Sequence, residues 1–561
     1  MKERYLALME HVLGAYTNEH IRRYFNEVKQ NDIAEHGFPR LTANIGVLIA
    51  HGRREDLRTL FYEMMSFCCK NMAHNKAKHG YVAGNDFSMR EIVTCLMAVE
   101  EYGAATAEQI AGWKADLRAL QAEEVYSVFA RDPQEYCGNW ALFTAVSEWM
   151  RQYIGLVETE GFVDIQLATQ LRNLDENGMY KDAPEHPPMV YDAAPRGLFS
   201  FLLHFGYRGR YYKEIDDCIR KAALLSLQMQ SITGEMPFGG RSNQFLHNET
   251  WLSVIFEYEA RRYAAEGDIV LSGRFKAAAE RAVDNVEQWL ACKPIHHVKN
   301  RFPLETQYGC EDYAYFDKYM ITAASFLYMA YLMCDDTLAV GEFDASPMTL
   351  QLSKDFQKLF LRAGDYAVEW DLCADLHYDC SGLGRVHKVG APSTVCLSCP
   401  CPPHPNFTVD LPEPQCLSLC PGVKTETGWQ FANEPLSRYE VLSHTATDTA
   451  AEAMLRCYHK SGAVVEISCV VDADGVTLTL SGEGEIACLL PAFCFDGEQK
   501  TTVTATEHSL TVVYRGYACR YVTDGTVTDA HYVAGNRNGH YQAFYAAGTN
   551  SVTVKIAIEK E

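Results

Sequence analysis

From residue 1 to about residue 365, apolar positions recur at i, i+3, i+4 and i+7. The segments "DFSMREIVTCLMAVEEYG", "NWALFTAVSEWMRQYIGL", "YKEIDDCIRKAALLSLQMQ" and "ETWLSVIFEYEARRYAAEG" show it most clearly. Gly, Pro, Asn or Asp punctuates each one, and the spacing predicts roughly a dozen helices joined mostly by short connections. Short connections make sequential helices antiparallel neighbours. An acidic, proline-bearing stretch at 335–350 precedes the last helix expected of this half. After about residue 378 the period changes. "TVCLSC", "AVVEISCVV", "GVTLTLSG", "SLTVVYRGYACRYVT" and "SVTVKIAIE" alternate or run with β-branched residues between Gly, Asp and Asn, which predicts antiparallel strands. Helices first and strands afterwards imply two segregated domains of an α+β chain, 1–377 helical and 378–561 a β-sandwich.

Length supports that division, because 561 residues exceed one compact core. The formal net charge of −23 argues against nucleic acid as a partner, since phosphate binding needs a basic surface. It leaves room for a small acidic substrate held by local Arg and Lys. The opening "MKERYLALMEHVLGAYTNEHIRRYF" reads as an amphipathic helix without the apolar core of a signal peptide. No run approaches the roughly 18 apolar residues of a membrane span. The expectation is a cytoplasmic protein that does not engage membranes; a homo-oligomer is left open. Twenty cysteines without an export signal suggest free thiols. "CLSCPC" (Cys396, Cys399, Cys401) and "CLSLC" (Cys416, Cys420) read as buried thiols rather than a zinc cluster.

Polar chemistry concentrates in a few loops. "YCGNWALF" opens a helix with Asn139, a natural N-cap, and Trp140. "LDENGMYKDAPEHPPMVYDAAPRGLF" brings Asp182, Tyr191, Asp192 and Arg196, and Asp192 is placed to cap the next helix. "GEMPFGGRSNQFLHNETW" (234–251) combines three glycines, which allow the backbone close to a ligand, with Arg241, a bidentate partner for a carboxylate. His247, Asn248 and Glu249 are consecutive, so a helix would point them in different directions. "HHVKNRFPLETQYGCEDYAYFDKY" supplies Arg301, Tyr308, Glu311, Tyr313 and Tyr315 at the entrance to an apolar helix, in which Tyr319 reads as packing. "GLGRVHKVGAP" places Arg385, His387 and Lys388 at the start of the strand region.

This order of features resembles the heparinase II/III and alginate lyase type of enzyme. The resemblance implies an N-terminal (α/α) toroid followed by an antiparallel β-sandwich, with a cleft between them. "HNE" at 247–249, "EDYAYFDKY" at 311–319 and "RVHK" at 385–388 occupy the order of that family's Asn/His pair, Tyr and later His. The pair reads His-Asn here rather than Asn-His, and the interval from the Tyr group to His387 is short. For β-elimination from a uronate, Arg241, Asn248 or Arg301 would neutralise the carboxylate. His247 or a tyrosine would take the α-proton, and Tyr315, with Tyr308 next, would protonate the leaving oxygen. His387 would help hold a tyrosinate or the substrate. Asn139, Trp140, Asp192, Glu311, Tyr313 and Arg385 would contact sugar. A glycosidase removing a terminal uronic acid would instead use two carboxylates from Glu249, Glu311, Asp312, Asp192 and Glu235. A glycan-binding protein without turnover is the third reading. The expected partner is an acidic oligosaccharide attacked at its end. Neither cofactor nor catalytic metal is expected: His296 and His297 are adjacent, and no helical H-x-x-x-H pair accompanies them.

Overall fold

The structure, a computed structural model, describes residues 1–75, 83–182, 186–434 and 436–561; residues 183–185 of the second polar loop lie outside that set. Among the described residues, 14 α-helices precede 15 strands. Six helices pack each against the next and the last against the first: Gly37–Ala50, Ala83–Glu101, Trp140–Tyr153, Met189–His204, His247–Ala265 and Phe316–Met333. They form the closed inner ring of an α/α toroid. An inner helix touches the bore, two ring neighbours and an outer helix, so its sequence must be apolar all round. Accordingly, all 14 residues of Gly37–Ala50 are buried. The outer helix Tyr212–Met229 buries one stripe, Ile215, Ile219, Ala222, Ala223, Ser226 and Met229.

Strands begin about thirty residues ahead of the expected change at 378. β1 (Met348–Gln351), β2 (Lys358–Ala363), β3 (Tyr366–Asp371) and β4 (Gly382–Lys388) form an antiparallel sheet in that order. The helix expected after 350 is instead the β2–β3 hairpin, turning at Gly364, whose φ of 54° suits glycine. Every residue of β2 and β3 is buried. Such strands lack the polar alternation of a half-exposed sheet and imitate an apolar helix in sequence.

The remaining strands make an 11-stranded antiparallel sheet around two long partners, Val476–Phe495 and Gly539–Lys560. The four-stranded sheet packs over Arg438–Ala446, Ala451–Tyr458 and Val464–Val471. This sandwich has its own core, separate from that of the toroid. "TVCLSC" contributes one isolated bridge, Leu397 to Val386, and no strand. All 20 cysteines are free thiols, as expected, and most are buried.

Candidate active site

A cavity of about 350 Å³ opens at one mouth of the toroid and takes side chains from all six inner helices or the residues that cap them. His36 caps Gly37–Ala50, Asn139 caps Trp140–Tyr153, and His247 is the first residue of its helix. Tyr191, Lys318 and Tyr319 lie in the first turn of theirs, and Phe87 lies in the second. Six helix N-termini therefore converge on one space. The partial positive charge of a helix N-terminus is shared by all six, so the cavity favours an anion. Trp251 and Phe326, with ring centroids 3.9 Å apart, close the apolar end.

The polar lining is mostly basic or neutral. Arg241 lies 4.4 Å over the Tyr191 ring and pairs with Asp182; its buried Nε has no hydrogen-bond partner. Asn139 Nδ2 donates to the same Asp182 at 2.6 Å. Lys318 pairs with Glu35 at 2.7 Å. Among the described residues, Glu35 is the one carboxylate on the lining. Arg40 donates through Nη1 to His36 Nδ1 at 3.0 Å and to Thr322 at 2.8 Å, while its Nε holds Glu91 at 3.0 Å. A donor on Nδ1 leaves the His36 proton on Nε2. Burial and then Arg40 hold the His36 pKa well below its ordinary value. Burial and Arg40 also lower His247 to about 3, and its buried Nδ1 has no hydrogen-bond partner. His247 is thus a neutral imidazole with an unused nitrogen. Its ring lies 5.1 Å from that of Tyr319, which lies 5.9 Å from Tyr313. Burial raises both tyrosines above the ordinary phenol range, so each keeps its proton. The Tyr313 and Tyr191 hydroxyls meet Ser242 Oγ at 3.2 and 3.1 Å.

Of the residues singled out in the sequence for polar chemistry, Asn139, Trp140, Tyr191, Arg241, His247 and Tyr313 meet on this cavity. The others do not line it. Tyr315, the expected acid, is the N-cap of the last inner helix, half-buried beside Glu35 and Asp317, which with burial raise it to about 12. Tyr308 stacks on Phe302 at 3.5 Å and donates to Gly539 O, inside the contact with the sandwich. Asn248 donates to Ser242 O at 3.2 Å. Glu311 receives both Arg537 donors and the Ser242 N–H. Asp192 is locked by Arg196 and the Tyr180 N–H. Arg301 lies on the sandwich side, 3.8 Å from Asp496.

Glu249, Arg385 and His387 belong to a second buried cluster that docks the two domains. Glu249 accepts from Lys299 at 2.6 Å and from the Met236 N–H at 2.9 Å. Arg385 pairs with Glu369 at 3.1 Å and donates to Met236 O at 2.8 Å. His387 meets Ser231 at 2.7 Å and Ser398 at 3.1 Å. Phe238 N–H donates to Glu369 and Gly240 N–H to Asp379. The glycines of 234–240 are each close-packed against protein: Gly234 against Arg281, Gly239 against Lys358 of β2 and Gly240 against Pro188. A side chain at Gly384 on β4 would stand 2.4 Å from Phe238.

Sequence reading missed Glu35, His36, Arg40 and Lys318 and took Tyr319 for packing; all five line the cavity. The legible signal was "HGFPRLTAN", where Arg40 and Asn44 interrupt an otherwise apolar helix.

No protein-family model matches the chain, and no curated protein matches it. Among solved structures, it superposes on heparinase III with a TM-score of 0.50 and 8% identity, covering 90% of this chain and 76% of that one. Heparan sulfate lyase HepC from Pedobacter heparinus gives 0.47 at 10% identity with the same coverage. A glycosyl hydrolase of family 88 from Bacteroides vulgatus gives 0.37 at 12%, covering 59% of this chain and 98% of that one. At 8% identity the likeness to heparinase III is one of fold: a toroid followed by a β-sandwich.

Proposed function

We propose that the protein is a carbohydrate-active enzyme that removes a terminal sugar from uronic-acid-containing oligosaccharides by β-elimination. One observation carries the reading. The cavity at six helix N-termini offers Arg241, Lys318, a neutral His247 and protonated tyrosines, against one carboxylate, Glu35, among the described lining residues. Elimination needs that set, whereas glycoside hydrolysis needs two carboxylates. The fold shared with heparinase III is compatible with it. A cavity of about 350 Å³ at the toroid mouth suits a chain end better than the middle of a polymer.

The roles follow from protonation. The uronate carboxylate sits against Arg241 and Lys318, whose charges stabilise the enolate that forms as the C5 proton leaves. His247, uncharged with a free nitrogen, accepts that proton. The electron pair of the C5–H bond becomes the C4–C5 double bond, and the C4–O bond breaks. Tyr313, held protonated, donates to the departing oxygen. Glu35 orients Lys318, and Asp182 with Asn139 orients Arg241.

An ultraviolet time course with size-graded uronate oligosaccharides tests this. The conjugated double bond absorbs, so turnover by wild type and none by Tyr313→Phe supports elimination. Turnover without absorbance, with solvent oxygen in the released sugar and a dead Glu35→Gln, would establish hydrolysis instead.

A further inference from the structure

We propose that a second cleft, on the β-sandwich, is a binding site for a neutral saccharide unit. The cleft measures about 480 Å³ and shares no lining residue with the toroid cavity. One wall is aromatic. Trp429 and Phe431 are two apart on the strand Gly428–Phe431, so they share a face. Tyr545 meets Trp429 at 5.4 Å and 49°, and Phe431 at 6.1 Å and 51°. The three rings form an open trough that stays half-buried although the sandwich core lies beneath. Their strand pairs only with Pro421–Thr425, so its other edge is open among the described residues.

Polar side chains line the rest of the cleft. Asn433 lines the cleft and is only 4% exposed, yet its side-chain amide makes no hydrogen bond within the described protein. The amide is not among the fully enclosed unpaired groups, so it meets the cleft, where donor and acceptor are both available to a ligand. Asp529 is fixed by the His531 N–H at 2.7 Å and by Gln542 at 2.9 Å. Glu434 pairs with Lys460 at 2.5 Å, which leaves the carboxylate of Asp529 as the excess charge among the described lining residues. An apolar ring trough in the same cleft as an unused amide and an oriented carboxylate suits a pyranose, with its C–H face and its hydroxyl edge. With that excess charge negative and the chain at −23, a polyanion is not the fitting occupant. This inference does not rest on the elimination reading.

The test uses full-length protein labelled with 5-fluorotryptophan, with the Trp429 resonance identified by its loss in Trp429→Phe. Methyl glycosides of glucose, galactose and N-acetylglucosamine are titrated separately, with glycerol as control. A saturable shift of the Trp429 resonance by at least one glycoside, weakened about tenfold or more in a folded Asn433→Ala variant, is the expected result. Three outcomes would overturn the proposal: no shift, a linear drift equal to that with glycerol, or movement confined to the resonances of Trp140 and Trp251. Turnover by Trp429→Ala should match wild type, so loss of this site and failure of the elimination reading are separately visible.

Discussion

The toroid mouth and the domain-docking cluster are built from the same kinds of residue but are finished differently. Both gather arginine, lysine, histidine and glutamate in buried surroundings. At the docking cluster the charges face one another: Lys299 between Glu235 and Glu249, and Lys358 and Arg385 around Glu369. Backbone N–H groups of 236–240 complete the shell. At the toroid mouth Arg241 Nε and His247 Nδ1 make no hydrogen bond; the docking cluster has such atoms too, Glu249 Oε2 and Asp379 Oδ1 among them, but neither residue lines the toroid cavity. Density of polar residues marks both places. What separates the site from the joint is that the groups at the mouth line a cavity, whereas those of the joint close on one another.

The sharpest way to break that comparison is to exchange the consequences of substitution. His247→Gln should lower kcat about 10²- to 10⁴-fold, the range for losing a general base, with little change in melting temperature. A variant with near wild-type turnover would remove His247 from the chemistry. Tyr313→Phe should behave alike, since the ring keeps its packing while the transferable proton goes.

The docking cluster should respond in the opposite sense. Lys299→Met strands two buried carboxylates, and removing one partner of a buried pair costs about 3–5 kcal/mol. We expect a large fall in melting temperature, with the folded fraction retaining wild-type KM. A stable but inactive Lys299→Met protein would mean that this cluster takes part in catalysis after all.

Much of the fold was legible because helices and strands have different periods and the change between them is abrupt. The boundary was misplaced because β2 and β3 are buried on every residue, which erases the alternation that announces a strand. The site was half legible. Asn139, Trp140, Arg241, His247 and Tyr313 stood in loops rich in polar groups, and the toroid brings them together. Arg385, His387 and Glu249 stood in equally polar loops. Only the three-dimensional pairing reveals that they hold domains together. His36 and Arg40 escaped notice for the converse reason: they lie at the head of an apolar helix, with the partner Glu91 fifty-one residues away.

A smaller effect sharpens the role of the cavity carboxylate. Glu35→Gln removes the partner of Lys318, leaving the cation free for substrate. Under elimination the change should shift KM by less than about tenfold, because a half-exposed pair of this kind is worth roughly 1 kcal/mol. Loss of all turnover would return Glu35 to the position of general acid and favour hydrolysis.

The smallest expected effect is an absence of pH dependence where a histidine base would ordinarily show one. An unperturbed imidazole titrates near 6.5, and kcat/KM would fall about tenfold per unit below that. Burial first, and Arg40 next, lower His247 to about 3 in the free protein. Lowering a base's pKa extends its competent, unprotonated form downward, so kcat/KM should stay level from about pH 7 to pH 5 and decline only nearer 3. The level region reports the free enzyme, because kcat/KM reads ionisations before substrate binds. An acid limb near 6.5 in wild type would show that His247 is hydrated and charged in solution. The cavity would then be wetter than its packing implies, and its likeness to the closed docking cluster would be weaker still.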